Sequence, residues 1–510
     1  MALAPFFDKT ALSAATLLKG FNRQGFEEKL TSNKIAVIFA SQSESSSEQL
    51  VAIELLVNLL ARLYPKLSIL SDGGGEVHDR MVALAKSINP DIEISATAED
   101  AVFFIATVEM SITSSLSGEV PGVFVGASGW TASVGTGGPF SWGQSNNPLG
   151  AAAAACLAAA NAFRYVFRDQ LEDCALDDRV TLDLRDYSVG GVPANDANLG
   201  TIDLAGSILI GIGAVGNAVI WTLARMSSVG GALTVIDHEQ IELSNLQRYV
   251  LTDMTSPGIA KVDLAESALA GRGIKVTKAQ VKWSEFLNQG NWQLPRIAVA
   301  VDSIDERIKI SGALAKEVLN SWTQADEVGV SRHRRYGEEA CLACLYYPTG
   351  AVPNEDELIK SAVGLPNETM LIRDLLVTNK PVGRAFLERV SMALSIPLPE
   401  LLAYENRALR QFYSEAVCGG MVLRLGAKST ADVEVPMAFQ SALAGVFLAA
   451  ELVMSAGNLR QEPILPVTRL RTCRPVPCSL VSPLAPVERC ICRDDDFRSV
   501  YSAKYPSTQQ

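Results

Sequence analysis

The sequence predicts an α/β fold made of two Rossmann-like domains and a small helical insertion, and three observations carry that reading. Residues 208–216, ILIGIGAVG, join an apolar strand to a helix through Gly211, Gly213 and Gly216. Two later strand-like runs, ALTVID and RIAVAVDSIDER, each lead into acidic residues. Residues 34–72 show the order strand, turn, long amphipathic helix, strand, aspartate, and the same order returns at 206–237, so the chain reads as a worn duplication.

The glycines come first because they set the chemistry. Lacking side chains, they let backbone N–H groups and a helix N-terminus approach phosphate. Alone, the spacing fits a glycine-rich turn in a packed α/β unit as well as it fits a nucleotide loop. The strand ALTVID ends at Asp237, about 20 residues on, where a carboxylate can accept hydrogen bonds from ribose hydroxyls. A dehydrogenase would share these features. It does not need the polar run that follows, with Glu239, Asn245 and Arg248, or Lys261 in the small-residue turn PGIAK, and these suit a triphosphate. Asp302 and Asp305 follow a further strand at the carboxyl edge of the sheet, where one acid can hold magnesium beside cations on the phosphates.

At these motifs the chain resembles the ubiquitin-activating enzyme superfamily, with its ThiF/MoeB-like adenylation fold. GIGAVG is similar to the nucleotide loop, and DHEQIELSNLQR is similar to the signature D-x-D-x-V-x-x-S-N-L-x-R. The resemblance implies that Asp237 binds ribose, that Asn245 and Arg248 serve the phosphate region, that Lys261 is the lysine of GxxK, and that Asp305 in DSIDER binds the magnesium of ATP. Glu239, Tyr249 and Glu306 depart from the usual aspartate, glutamine and asparagine. In the first copy ASQSES replaces the glycines, so residues 1–190 are expected to form an inactive adenylation-like domain and 191–351 the first part of the active one. A linker at 186–200, DYSVGGVPANDANLG, separates them. Such pairing makes the chain pseudo-dimeric and leaves a homodimer open. Residues 18–30 resemble the family's opening Y-x-RQ segment, which implies that Arg23 reaches the ATP phosphates.

Composition narrows the partners. The chain has 510 residues, 48% of them hydrophobic, enough for two or three domains with real cores. A net charge of −12 without basic runs argues against nucleic acid. The start, MALAPFFDKT, lacks a basic and apolar leader, and the apolar runs near 149–163 and 441–454 read as too weak to span a membrane, so a cytoplasmic location is expected. The glycine-rich loop and alanine helix at 128–167 suggest close packing and carry no assigned chemistry.

Nine cysteines in such a chain are read for metal and reactivity rather than for disulfides. Cys341 and Cys344 form a CxxC, and Cys490 and Cys492 a CxC, and four thiolates suit a structural zinc; Cys473 and Cys478 compete for the second pair. Many members of the resembled family pair two such motifs. Cys418 stands alone before Gly419 and Gly420, and its place ahead of an apolar helix resembles that of the family's catalytic cysteine. The chain has three histidines, none near it in sequence, so a Cys-His protease arrangement has little support. Residues 352–420 read as a helical insertion that bears the cysteine or docks a partner, and 421–510 as the C-terminal part of the active domain. The polar tail 493–510 is too short for an appended ubiquitin-fold domain, so recruitment of a conjugating enzyme is expected through another surface.

The expected reaction is ATP–Mg²⁺-dependent adenylation of the C-terminal glycine of a ubiquitin-like protein by a bacterial-type activating enzyme, capture as a thioester on Cys418, and transfer to a conjugating enzyme. The alternatives are a sulfur-carrier adenylyltransferase without a thioester step, an NAD-dependent dehydrogenase, and a scaffold that only binds nucleotide.

Overall fold

A computed structural model describes residues 3–40, 46–71, 75–108, 120–191, 198–290, 293–347, 355–394, 396–413 and 435–506. The chain divides into two compact units, one of residues 1–6, 30–347 and 436–510, the other of residues 7–29 and 348–435.

The larger unit holds two sheets of the same plan. In the first copy, β1 (Lys34–Phe39), β2 (Lys66–Ser71), β3 (Glu93–Ser95), β4 (Ala101–Ala106), β5 (Gly122–Ser128), β6 (Thr131–Gly135) and β7 (Val180–Asp183) lie in the order β3-β2-β1-β4-β5-β6-β7. In the second, β8 (Ile202–Asp203), β9 (Ser207–Ile210), β10 (Val229–Ile236), β11 (Ile274–Ala279), β12 (Arg296–Val299), β13 (Val318–Gln324), β14 (Glu327–His333), β15 (Val467–Arg471) and β16 (Val481–Ser482) follow β11-β10-β9-β12-β13-β14-β15-β16, with β8 beside β10. Each sheet is parallel through its first five strands and antiparallel beyond β5 or β13. The central strands β1 and β9 read as unbroken apolar runs because both faces are covered by helices, which leaves no solvent face to alternate with.

The duplication read from residues 34–72 and 206–237 is therefore a duplication of fold, and it runs further than the motifs. A long, small-residue helix separates the last two matching strands of each copy, Leu149–Val166 before β7 and Ala438–Ala456 before β15. The glycine-rich stretch before Leu149 thus occupies the place at which the second copy carries its helical insertion. Both helices are long and apolar enough to cross a membrane by length and composition, more so than the shorter runs read from sequence, yet 94% of an 18-residue stretch of each is buried inside the protein. They pack on one another, with Phe163 and Phe439 rings 5.6 Å apart. Glu451 lies fully buried on the second helix and accepts from Tyr187, Arg332 and Arg460 at 2.7–2.9 Å. Burial pushes its carboxyl up, but the two guanidinium groups more than reverse this and hold it down at about 2.

The smaller unit is helical. Glu355–Ala362, Thr369–Thr378, Arg384–Leu394, Leu398–Leu401 and Leu409–Phe412 turn Ile359, Ile372, Leu387, Val390 and Phe412 into a common core, at the i, i+3, i+4 spacing of amphipathic helices. Phe7–Leu17 belongs to the same unit.

Candidate nucleotide site and cysteine cluster

Three strand ends of the second copy build the site. β9 leads into the glycine loop, β10 into Asp237 and β12 into Asp302, and β9 pairs with both neighbours in parallel, so all three ends emerge on one edge. That edge, where strand order reverses, is the ligand crevice of open α/β sheets.

Each glycine has a different physical reason. Gly211 has φ +87, a conformation that side chains rarely adopt, and a Cβ there would lie 2.9 Å from the Ala300 carbonyl oxygen. A Cβ on Gly216 would sit 2.0 Å from the Gly211 carbonyl oxygen, so the first turn of the helix Ala214–Leu223 closes on the strand end only without one. Gly213 differs. Its φ of −67 and ψ of −161 suit any residue, and a Cβ would meet nothing nearer than the Tyr249 hydroxyl at 3.7 Å. Packing within the chain does not require a glycine there, whereas a phosphate approaching the helix N-terminus does.

Asp237 is 9% exposed, and both of its oxygens accept backbone N–H groups, from Ile212 at 2.7 Å and from Glu239 at 2.9 Å. The carboxylate thus locks the glycine loop to the end of β10. Residues 239–241 and 258–261 hold each other through Lys261 N–H to the Glu239 carbonyl (3.1 Å), Ile241 N–H to Ile259 (2.9 Å) and Gly258 N–H to Ile241 (2.8 Å). This brings the Lys261 ammonium to 2.5 Å from the Glu239 carboxylate and 5.5 Å from the Tyr249 ring centre. Burial pulls the Lys261 ammonium down, but Tyr249, Asp237 and Glu239 outweigh it and hold the group above its ordinary value. Glu239 is more than half exposed, so a phosphate can take its place at Lys261.

Arg248 follows the short 3-10 helix Leu243–Gln247, whose N-cap is Glu242; Asn245 closes the capping box, its side-chain oxygen accepting from Glu242 N–H at 3.0 Å. Asn245 therefore shapes the turn that presents Arg248. The guanidinium touches Gln247 at 3.3 Å and pairs with no carboxylate among the described residues. Burial lowers it, against Tyr249 and Asp302, and an arginine stays charged at neutral pH all the same. Asp305 is exposed in the first turn of the helix Ile304–Ser311, capped by Ser303. Asp302 and Asp305 form no hydrogen bond or ion pair among the described residues; Asp302 lies within electrostatic reach of Arg248 and Arg307, and exposed carboxylates of this kind are oxygen ligands that suit Mg²⁺.

The structure thus gathers Gly211, Gly213, Gly216, Asp237, Lys261, Arg248 and Asp302 at one sheet edge. Arg23 belongs to the smaller unit, where it pairs with Asp8 at 2.7 Å and Glu27 at 3.1 Å. Cys418 lies outside the described residues. The motifs mark Tyr249 only as a departure from the usual glutamine and give Arg307 no role. Tyr249 stands between Lys261 and Arg248, and Arg307, buried, donates to the carbonyls of Val301 and Ser321 and to Asn320, which fixes the turn after β12. An arginine five residues beyond Asp302 was the available signal for the latter.

Cys341, Cys344, Cys490 and Cys492 form a second, separate cluster, all buried, with their sulfurs within 4.8 Å of one another. The Sγ atoms of Cys341 lie 4.0 Å from Cys344 and 3.5 Å from Cys490, and those of Cys344 and Cys492 are 3.5 Å apart. A tetrahedral zinc with ~2.3 Å Zn–S bonds requires S···S separations of about 3.8 Å, so the set fits that ion. Hydrogen bonds from Cys344 and Cys490 hold the Cys341 thiol low, and the thiolate so favoured pushes Cys344 up and Cys490 up to about 12. A divalent cation removes that conflict. Cys473 and Cys478 are not part of the group.

Residues 194–464, more than half of the chain, match the ThiF family, and residues 38–168 match the family described as Prokaryotic E2 family C. A relative described as uncharacterized protein y4jF, from Sinorhizobium fredii (strain NBRC 101917 / NGR234), is 39% identical over 514 residues, covering 99% of this chain and 98% of that protein. Among solved structures, E. coli MccB with MccA-N7isoASN is 15% identical over 57% of this chain and 68% of that one, with a TM-score of 0.35. E. coli MccB with ATP is 14% identical over 58% and 68%, with a TM-score of 0.34. By the match that spans both the glycine loop and the strand ends around it, the chain belongs to the ThiF family.

Proposed function

We propose that this ThiF-family protein adenylates the C-terminal carboxylate of a glycine-terminated, ubiquitin-like polypeptide and captures it as a thioester on Cys418 for transfer to a conjugating enzyme. Gly213, where the chain's own packing leaves room for a side chain, together with Lys261 and Arg248 on the ring of the neighbouring Tyr249, supports the first step most directly. The polypeptide carboxylate attacks the α-phosphorus of ATP, the bond to the β-phosphate oxygen breaks, and acyl-adenylate and pyrophosphate result. Loop N–H groups, Lys261 and Arg248 offset the charge that develops on the phosphates. Asp302 and Asp305 are the residues to hold magnesium, which supplies charge neutralisation when bound. In the second step the Cys418 thiolate attacks the acyl carbon and AMP leaves with the bonding pair. For Arg23 to act on the same phosphates it must exchange Asp8 and Glu27 for them.

The four-cysteine cluster is proposed to hold a structural zinc, since its four thiols leave no open position for a substrate. The first copy is proposed to be catalytically silent. Its match to an E2-type family suggests a thioester carrier, but the one cysteine in residues 38–168, Cys156, is buried in Leu149–Val166 and burial pushes its thiol up.

The test combines ATP–pyrophosphate exchange with non-reducing electrophoresis, after incubation with ATP–Mg²⁺ and a glycine-terminated ubiquitin-like protein from the same gene neighbourhood. Exchange plus a thiol-labile adduct that disappears in Cys418→Ala is the expected result. An adduct surviving that change moves the nucleophile elsewhere, exchange without adduct makes the protein a sulfur-carrier-type adenylyltransferase, and no exchange sinks the adenylation reading.

A further inference from the structure

The helix Ser47–Ala61 of the first copy and its C-cap Arg62 send three side chains toward the second copy at four-residue spacing, Glu54, Asn58 and Arg62, one stripe of a helix face. The last two are buried, 3% and 2% exposed. Asn58 donates to the Val250 carbonyl at 2.9 Å; Arg62 donates to the carbonyls of Leu246 and, at 2.7 Å, Thr252, and is itself braced by Asn58 at 3.0 Å. The Met254 N–H of the same segment donates to the first copy's Ser87 carbonyl at 3.0 Å. From its own copy the segment has Asn217, whose oxygen accepts Leu251 N–H at 2.8 Å.

Those carbonyls bracket Arg248 and Tyr249. A buried guanidinium without a carboxylate is costly to maintain, and Arg62 has no ion pair among the described residues, its partners being Asn58 and two main-chain carbonyls, with the charge of Asp253 nearby. It spends its donors on main-chain oxygens of one irregular segment, so the geometry of that segment is what it fixes. We propose that Arg62 and Asn58 are positioning residues for nucleotide binding, through which the first copy holds the Leu246–Thr252 segment that presents Arg248 to the phosphates. The inference rests on the adenylation reading for its functional half and on the hydrogen bonds alone for its structural half.

The test uses the full chain with Arg62→Met, Arg62→Lys, Asn58→Ala and Glu54→Gln. Glu54 pairs with Arg225 from the same helix face and touches nothing in 246–252, so its variant reports loss of an inter-copy contact without loss of the clamp. Two quantities are read: amide hydrogen exchange across 247–254 without nucleotide, and the Kd for ATP–Mg²⁺. Arg62→Met is expected to exchange faster in that segment and to bind ATP–Mg²⁺ roughly tenfold more weakly, with Arg62→Lys between it and wild type and Glu54→Gln unchanged in both. Asn58→Ala, which frees one carbonyl, is expected to show the smaller effect in the same direction and stands in should Arg62→Met not fold. The inference is overturned if exchange in 247–254 stays at the wild-type rate in Arg62→Met or Asn58→Ala, if Glu54→Gln loosens it equally, or if faster exchange leaves the Kd untouched. Wild-type protein that fails to bind ATP–Mg²⁺ refutes the adenylation reading instead, and the exchange arm still judges the clamp.

Discussion

Replacing Gly213 by alanine separates a ligand cradle from a packing device more cleanly than any other change in the loop. The backbone there needs no adjustment, and the new methyl meets only the Tyr249 hydroxyl at 3.7 Å and the Ala300 carbonyl oxygen at 4.0 Å, both ordinary contacts. Alanine is a poorer N-cap than glycine but restricts the unfolded chain more, two effects of about 0.5–1 kcal/mol with opposite sign. Stability is therefore expected to stay within about 1 kcal/mol of wild type. The methyl occupies the approach to the helix N-terminus, and losing one hydrogen bond to a charged phosphate costs about 1.5–3 kcal/mol, or roughly 10- to 100-fold in Kd. Gly216→Ala is the contrast. Its Cβ would lie 2.0 Å from the Gly211 carbonyl oxygen, so the helix start must shift, and overpacking of that kind costs about 1–3 kcal/mol of stability as well as binding. Titration with a fluorescent ATP analogue and Mg²⁺, run beside thermal melts, reads both quantities. If Gly213→Ala melts like wild type and binds nucleotide like wild type, the space above Gly213 is not where a phosphate sits and the loop is only a tight turn.

Two further outcomes follow from buried groups. Glu451 has a folded-state value of about 2 against 4.5 ordinarily, so its ionised form contributes stability above pH 4.5 that is lost as the pH falls from there to about 2. The contribution is about 3 kcal/mol, and denaturant titrations across that range should show a steeper fall for wild type than for Glu451→Gln; equal slopes would remove Glu451 from the acid response. At the cysteine cluster, metal analysis of the purified protein is expected to give one zinc per chain, and Cys490→Ser to lower both the zinc content and the melting temperature. A metal-free protein that melts as the zinc-loaded one does would leave the four thiols as packing.

What the sequence made legible was whatever short-range pattern dictates. Gly211 and Gly216 announce themselves because a positive φ and a 2.0 Å approach admit no other residue, and the unbroken apolar runs of β1 and β9 announce a sheet covered on both faces. The cysteine pairs were legible as pairs, but 341 and 490 meet only because residue 490 returns to the connection after β14, which spacing along the chain does not encode. Asp237 shows the opposite difficulty. Its position fits a ribose ligand, yet its oxygens accept main-chain N–H groups, one from the glycine loop and one from the turn after β10, so the residue type that a motif explains by its ligand is also explained by the turns it ties down.

Arg62 and Asn58 could not be read as site residues at all. Written out, AIELLVNLLARLYPK is an amphipathic helix whose polar positions look like a solvated edge, and nothing local says that the edge is covered. Only the tertiary arrangement turns those side chains inward, onto carbonyls of the segment that carries Arg248. This gives a physical account of why a copy with ASQSES in place of a glycine loop is kept at all. The irregular segment Leu246–Thr252 has main-chain oxygens at Leu246, Val250 and Thr252 that Asn58 and Arg62 satisfy, and a buried carbonyl left unpaired costs free energy comparable to a lost hydrogen bond. These bonds depend on the face of the helix Ser47–Ala61 and not on the ASQSES loop of the same copy.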